Sequence, residues 1–290
     1  MACCCPACQH SEVSESLSAE IRAFLLDLTA KLGPGLLEAN RSGAQLASKS
    51  SFHDVVTVHD KATETAIREA VFARFPDSAI LGEETGWSNA AGPIDEPGAD
   101  DLYWLVDPID GTSNFAGGWD HWCISIAAVK SGRLIASAVH QPLGKRTWSA
   151  DESGAYLDEP GYPTRTLQVD TEAVPSQGIC ASEFPSVRVG HDIDSLLGWS
   201  RAASQFRSMR RPGSTTLDLC FVADGRALAA FSTGAHSWDV AAGIHILQQA
   251  GAIYEAYDES GPAVPVWDGT TYIAAASEAC AKPAREAMGL

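Results

Sequence analysis

Trp104-Leu105-Val106-Asp107-Pro108-Ile109-Asp110-Gly111-Thr112-Ser113-Asn114-Phe115 is the stretch on which the reading of the chain turns. The apolar run Leu102 to Val106 predicts a buried strand. Pro108 has no N–H for a sheet ladder and predicts where that strand stops. The chain is therefore expected to turn where two carboxylates, Asp107 and Asp110, stand three residues apart. Gly111 allows a tight backbone approach, and Thr112 adds a hydroxyl. Buried carboxylates are costly without a positive partner, and Mg²⁺ is held by a few carboxylates together with substrate phosphate oxygens. A solvated Asp-Pro turn followed by an Asp-Gly bend accounts for the same letters, so the stretch alone leaves both readings open.

Two further segments flank it in order: Leu81-Gly82-Glu83-Glu84 upstream, and Trp238-Asp239-Val240-Ala241-Ala242-Gly243 near the C-terminus. Together the three resemble the signatures of the inositol monophosphatase-like family of magnesium-dependent phosphatases, over about residues 16–290. The resemblance implies an α+β fold of the sugar-phosphatase type, a layered αβαβα sandwich with the site between two halves. It also implies two to three Mg²⁺ ions, a small phosphorylated substrate and a homodimer. Carried over residue by residue, Glu83, Asp107 and the Ile109 carbonyl would hold one ion, and Asp107, Asp110 and Asp239 a second. A third, weaker ion would sit on Glu83 and waters, with Glu84 in support. Asp60, in Val56-Thr57-Val58-His59-Asp60, would act with Thr112 and Glu83 in activating the attacking water. Gly111, Thr112, Gly213, Ser214, Thr215 and Asp239 would face the substrate. Attack would be direct and in line, with no covalent intermediate.

Composition sets the outer limits. The 290 residues suffice for one large domain or two modest ones, and 45% hydrophobic with 20% charged residues is ordinary for a globular chain. A net charge of −17 argues against a nucleic-acid partner, whose phosphates would be repelled. An anionic substrate is reconciled with that charge if bound metal neutralises several carboxylates. Cys123, Cys180, Cys220 and Cys280 are widely spaced, and most sit in apolar runs, which predicts buried thiols. Cys3, Cys4, Cys5 and Cys8 cluster at the start, where residues 1–15 are expected as a disordered tail; Cys5, Cys8 and His10 leave a metal or redox reading open. There is no basic segment followed by an apolar one of signal-peptide type, and no apolar run reaches the roughly 18 residues of a membrane span. The expectation is a cytoplasmic protein that contacts neither membrane nor nucleic acid.

Along the chain, Ile21, Phe24, Leu25, Leu28 and Leu32 predict a helix from Ser16 to about Asn40, broken or kinked at Gly33-Pro34-Gly35. Ser42 to Val56 reads as a loop or hairpin, and Val55 to Val58 as a short strand. Asp60 is placed as the N-cap of a helix from Lys61 to about Phe75, a structural role compatible with a catalytic one. Ala79 to Gly82 predicts a strand, and residues 86–101 a surface loop. Ile124 to Val129 and Leu134 to Val139 flank Lys130-Ser131-Gly132-Arg133 as a hairpin. The polar stretch 158–176 is the expected boundary between subdomains of about 16–165 and 166–290. Beyond it strands and helices alternate: Gly178 to Ala181, His191 to Ser204, the Gly213-Ser214-Thr215 corner opening another helix, Ala227 to Phe231, and a helix from Trp238 to Ala250. Ser214 and Asp239 could each be no more than a helix cap.

Rival chemistries fare less well. A nucleophilic aspartate of the haloacid-dehalogenase kind needs Asp-x-Asp, whereas the spacing here is Asp-x-x-Asp with Pro108 between. Gly213-Ser214 lacks the Gly-x-Ser-x-Gly elbow of a serine hydrolase. Two departures from the family bear on substrate. Ser232 stands where animal inositol monophosphatases carry a glutamate that binds inositol hydroxyls, and Trp119-Asp120-His121-Trp122 replaces a Phe-Pro-like segment. Inositol monophosphate is the default substrate, with histidinol phosphate and 3′-phosphoadenosine 5′-phosphate as alternatives. A metal-dependent binding protein without turnover is the reading from a different class.

Overall fold

The computed structural model describes residues 6–43, 46–48, 55–185 and 193–290. The first helix, α1 (Pro6–Ser42), starts on a proline, whose fixed φ and missing N–H are tolerated in a first helical turn. It takes in residues 6–15, expected above in a disordered tail, while the first three clustered cysteines lie outside the described residues. The helix also runs through Gly33-Pro34-Gly35, where a break or a kink was expected, so it is not broken there. Anchoring on the far side overrides the local signal: Leu36 is buried, and Asn40 Nδ2 donates to the Phe115 carbonyl at 2.7 Å.

Strands β1 (Leu46–Ser48) and β2 (Val55–Thr57) pair antiparallel, the hairpin alternative for this segment. In α2 (Val58–Arg74) the buried positions Asp60, Thr63, Glu64, Ile67 and Val71 share one stripe. Asp60 is therefore the third residue of the helix and not its N-cap, because the helix begins at Val58. The chain then forms β3 (Ala79–Gly82), β4 (Gly86–Asn89), β5 (Gly92–Pro93) and β6 (Leu102–Asp110). Thus the expected loop 86–101 contributes two short strands to one end of a sheet, recruited by the turn between Gly82 and Gly86. After α3 (Thr112–Gly117) come β7 (Cys123–Lys130), β8 (Arg133–Gln141), β9 (Arg146–Asp151), β10 (Gly154–Asp158) and β11 (Arg165–Thr166).

Nine of these strands make one sheet, in the order β11-β10-β9-β8-β7-β6-β3-β4-β5. All neighbours are antiparallel except β3 and β6. Strand β7 is buried from Cys123 to Val129 without alternation, because helices cover both faces of the sheet. On one face, α1 and α2 close a core of Ile21, Leu25, Ile67, Val71, Trp104 and Ile126.

The rest of the chain builds a second sheet. Its elements are β12 (Ile179–Ala181), α4 (Ile193–Gln205), β13 (Ser208–Arg210), α5 (Thr215–Ala223), β14 (Ala229–Thr233), α6 (Ser237–Gln249), β15 (Ile253–Asp258), β16 (Gly261–Pro262), β17 (Thr271–Ala275) and α7 (Glu278–Met288). Six strands pair in the order β13-β12-β14-β17-β15-β16. Helices α5 and α6 lie between the two sheets, whereas α4 and α7 pack on each other over the outer face of the small one. The layers therefore run α1/α2, large sheet, α5/α6, small sheet, α4/α7, which is the expected αβαβα sandwich. Helix α7 was absent from the sequence reading, although Ser277 caps it, accepting from Cys280 N at 3.2 Å. Cys123, Cys180, Cys220 and Cys280 are buried free thiols.

Candidate active site

The end of β6 decides how the acids are aimed. Pro108 does not stop the strand, which continues to Asp110. Asp107 pairs with Ser125 and Asp110 with Cys123, so three steps on β6 oppose two on β7. One extra residue on β6 makes a β-bulge, and proline is tolerated there because the ladder is interrupted. The bulge also corrects the facing. In an unbroken strand, residues three apart point to opposite faces; their partners here are two apart, so both carboxylates point the same way. Ile109 N donates to Asp107 Oδ1 at 2.9 Å within the bulge.

Glu83 arrives from the next strand. Gly82 is paired with Val106, and Glu83 N donates to the Val106 carbonyl at 3.2 Å, which sets Glu83 beside Asp107. The turn that carries it is held by Glu64, one helical turn beyond Asp60 and buried: Glu64 Oε2 accepts from Glu84 N at 2.8 Å. From the same stripe of α2, buried Asp60 accepts from Thr112 Oγ1 at 3.2 Å. The Thr112 hydroxyl is also 3.1 Å from the Ile109 carbonyl. Asp60, Thr112 and Ile109 thus meet at the bulge.

The second half supplies the other wall. Ser214 caps α5, accepting from Leu217 N at 3.4 Å, and its hydroxyl donates to Asp110 Oδ2 at 2.5 Å. Thr216 N reaches the same oxygen at 2.7 Å, while Thr216 Oγ1 donates to the Asp239 carbonyl at 2.6 Å. Asp239 lies in the first turn of α6, its Oδ2 accepting from His236 N at 2.8 Å. Ser214 thus caps α5 while holding Asp110, and Asp239 closes the first turn of α6 at the same junction. Two glycines let the walls meet. Gly111 has φ 90°, and a Cβ on it would lie 3.1 Å from the Gly213 carbonyl; Gly213 has φ 87°, and its Cβ would lie 3.0 Å from Asn114 Nδ2. Asn114 Nδ2 ties the segments together, donating to the carbonyls of His121 and Pro212, each at 2.7 Å.

Electrostatics at this junction are lopsided. The Asp107 carboxyl is pushed well above its ordinary range, first by burial and then by Glu83, Asp110, Asp239 and Asp60. Burial raises Asp110 as well, with hydrogen bonds from Ser214 and Thr216 opposing it. Among the described residues, no group of three acidic, histidine or cysteine side chains is gathered tightly enough to hold a metal ion as it stands. Asp107, Asp110 and Asp239 each turn an oxygen to an N–H or O–H donor. The donor chemistry nevertheless fits a hard divalent cation: the groups gathered around Asp107 are carboxylates and a backbone carbonyl, all oxygen donors, while the Cys123 thiol lies behind Asp110, 3.8 Å from its Oδ2.

Several residues at this junction were given no site role by the sequence reading. Glu64 and Thr216 support the acids, and Asn114 was quoted only as part of a motif. His121 Nε2 lies 3.2 Å from Asp218 Oδ1, and Asp218 is fully buried. Glu183 accepts from Gly213 N at 2.8 Å and pairs with Arg211 Nε at 3.1 Å. Of these, only Glu64 carried a local signal, its i,i+4 spacing from Asp60 on one face of α2.

Residues 17–288 match the model of the inositol monophosphatase family. The chain is 37% identical over 246 residues to the inositol-1-monophosphatase SuhB of Mycobacterium tuberculosis, covering 83% of this chain and 81% of that protein. It is 36% identical over 203 residues to the Nus factor SuhB of Pseudomonas aeruginosa, covering 69% and 71%. The solved structure of Mycobacterium tuberculosis SuhB superposes with a TM-score of 0.70 at 26% identity, covering 93% of this chain and 96% of that one. With the fold, the acid-lined junction and these likenesses in agreement, the chain belongs to the inositol monophosphatase family and is a phosphoric monoester hydrolase.

Proposed function

We propose that this enzyme hydrolyses a small phosphate monoester in a Mg²⁺-dependent reaction, with inositol monophosphate as its default substrate. The observation that carries the reading is the convergence of Glu83, Asp107 and Asp110 at the bulge of β6, where burial first and then four other carboxylates raise Asp107. Glu83, Asp107 and the Ile109 carbonyl would hold one ion; Asp107, Asp110 and Asp239 would hold a second, and Glu83 a third, weaker one. Such ions supply Lewis acidity toward the phosphoryl group and the leaving oxygen. The protein's own part is positioning and proton transfer. Thr112 donates to Asp60 at 3.2 Å, which turns its hydroxyl oxygen outward as an acceptor for the attacking water. Asp60 takes up the proton that the water loses as its oxygen bonds to phosphorus. The ester P–O bond breaks, the leaving alkoxide takes a proton from solvent water and departs as the alcohol, and Asp60 returns its proton to solvent. Ser214 and Thr216 fix Asp110, and Gly111, Gly213 and Thr215 line the approach for the phosphate.

Inositol monophosphate is favoured by the 37% identical relative named for that activity. Histidinol phosphate and 3′-phosphoadenosine 5′-phosphate are the alternatives, because Ser232 is uncharged and 3% exposed. The second reading, binding without turnover, is favoured by the 36% identical relative named a Nus factor. Against it, Asp60, Glu83, Asp107, Asp110, Thr112 and Asp239 are all present. The net charge of −17 supports a partner list without nucleic acid. No described helix is long and apolar enough to cross a membrane. A cytoplasmic homodimer with subdomains of about 16–165 and 166–290 completes the proposal.

Phosphate release from inositol 1-phosphate, histidinol phosphate and the phosphoadenosine nucleotide, with and without Mg²⁺, tests it. Mg²⁺-dependent release, highest on inositol 1-phosphate, supports the reading. Negligible relative rates on that ester would replace the substrate. No release from any ester by folded protein would leave the binding reading.

A further inference from the structure

Position 232 brings no charge to the leaving-group side of the site, yet the neighbouring strand does. Strands β12 and β14 run parallel, with Ala181 beside Ala230. Ser182 Oγ donates to the Phe231 carbonyl at 2.7 Å, so the two backbones remain adjacent one step further on. The next step puts Glu183 alongside Ser232. Glu183 is fixed there from two sides: Gly213 N donates to Oε1 at 2.8 Å, and Arg211 Nε pairs with Oε2 at 3.1 Å. Its side chain keeps 24% exposure, enough for a ligand to reach it.

The surroundings are polar in a way that the fold does not fully use. Asp218 Oδ2 and the hydroxyl of Tyr272 are buried without hydrogen-bond partners. Tyr272 is the cross-strand partner of Ser232, and its hydroxyl feels Asp218, Glu183 and Asp110. Small Ser232, the unpartnered Tyr272 hydroxyl, the Asp218–His121 pair and Glu183 therefore form one polar cluster beside Gly213, in which Glu183 keeps the most exposure. Gly213, whose N–H Glu183 accepts, lies against Gly111 and Asn114 and directly precedes Ser214, the donor to Asp110, so the cluster stands on the α5 side of Asp110.

We infer that Glu183 is the specificity-determining residue for the leaving group, accepting hydrogen bonds from neighbouring hydroxyls of a polyol phosphate. This rests on the hydrolytic reading above. An ionised carboxylate has about four lone-pair sites, and Gly213 N and Arg211 Nε use two of them, so a pair of vicinal hydroxyls can be accepted. Arg211 holds the charge in place and offsets its repulsion of the phosphate. A leaving group without hydroxyls leaves this acceptor pair unsatisfied, which is how a polar site discriminates.

The test compares inositol 1-phosphate with phenyl phosphate, whose leaving group has no further hydroxyl, on wild type and Glu183→Gln. Glutamine can keep the Gly213 contact through its amide oxygen but cannot accept at both positions. The ratio of kcat/KM for the inositol ester over the phenyl ester is expected to fall about 10- to 100-fold, with Glu183→Asp restoring part of it. An unchanged ratio, whether both rates fall or neither does, would overturn the inference. Calorimetric affinities for inositol 1-phosphate and inorganic phosphate separate the two claims. Absence of wild-type turnover on either ester would defeat the hydrolytic reading alone. Equal affinity of wild type and Glu183→Gln for inositol 1-phosphate would defeat the role of Glu183 alone.

Discussion

Two groups of buried acids flank Gly213, and burial has raised both, but they are relieved differently. Asp218 has His121 at 3.2 Å; that hydrogen bond and charge pull against burial, and the carboxyl comes to about 7. Asp107 has the Ile109 N–H at 2.9 Å and no cationic side chain among the groups that shift it; burial first, and then four carboxylates, all raise it. The first cluster carries its own counter-charge and can stand as a fixed part of the pocket. The second is a negative deficit built into the bulge of β6, and a divalent cation is the species that removes it. An acid cluster is thus read as a metal site by what opposes it, and proximity alone does not decide.

Breaking the unrelieved cluster has the largest expected effect. Asp107→Asn should lower Mg²⁺-dependent phosphate release by about 1,000-fold, equivalent to about 4 kcal/mol of transition-state stabilisation. The same substitution should raise the melting temperature in Mg²⁺-free buffer at pH 8. The sign follows from linkage: a carboxyl raised in the fold contributes stability at low pH and loses it as pH rises through its folded value. Asparagine cannot ionise and escapes that loss. A lower melting temperature for Asp107→Asn under those conditions would show that the charge is already balanced by the protein.

Mg²⁺ itself should separate the clusters next. At about 100 times its Kd, the ion should stabilise wild type by about 2.7 kcal/mol against denaturant. Asp107→Asn should lose that increment, and Asp218→Asn should keep it. Equal loss in both variants would mean that the two clusters form one site.

How much of this was legible depends on distance along the chain. Asp107 and Asp110 are neighbours in sequence, and together with Glu83 and Asp239 they fell within motifs, so the acids were found before the fold. Their common facing was not, because Pro108 suggested a strand end and only the pairing with β7 reveals the bulge. Asp218 and His121 are 97 positions apart, as far as Asn114 and Pro212 at 98, and no periodicity connects such pairs. Of the break or kink expected at Pro34, the break does not occur, for a related reason: a local rule was outweighed by Leu36 and Asn40, whose burial the helix segment alone does not disclose. Layer order came from the resemblance, whereas α7 was overlooked despite a visible Ser277-Glu278 start. Local chemistry was readable; long-range balancing of charge was not.

The relieved cluster has its own signature in pH. Asp218 sits at about 7 in the fold against 3.8 ordinarily, so the folded chain holds a proton there that the unfolded chain has released. Its contribution to stability is therefore full below about pH 4 and declines, by about 1.4 kcal/mol per pH unit while it titrates, as pH rises toward 7. His245, buried at about 4 against 6.5, works in the opposite sense, adding stability as pH rises between those values. Denaturation of wild type and Asp218→Asn across pH 4 to 8 isolates the first effect, since His245 is common to both. The difference curve should slope over that window; a flat difference would place the Asp218 carboxyl in its ordinary range.

The smallest effect probes the link between the clusters. Ser214 both caps α5 and donates to Asp110, on the wall that also carries Gly213 and its bond to Glu183. Ser214→Ala removes the cap acceptor and one donor from a buried carboxylate, and should cost about 1 kcal/mol of stability in the absence of Mg²⁺. Thr216 N would remain on the same Asp110 oxygen at 2.7 Å, which is why the loss should stay small. With Mg²⁺ present the cost should shrink, because the ion then stabilises the charge that Ser214 had been stabilising. A cost that does not respond to Mg²⁺ would assign Ser214 to the helix cap alone, leaving Asp110 to be balanced from the α5 side by Thr216.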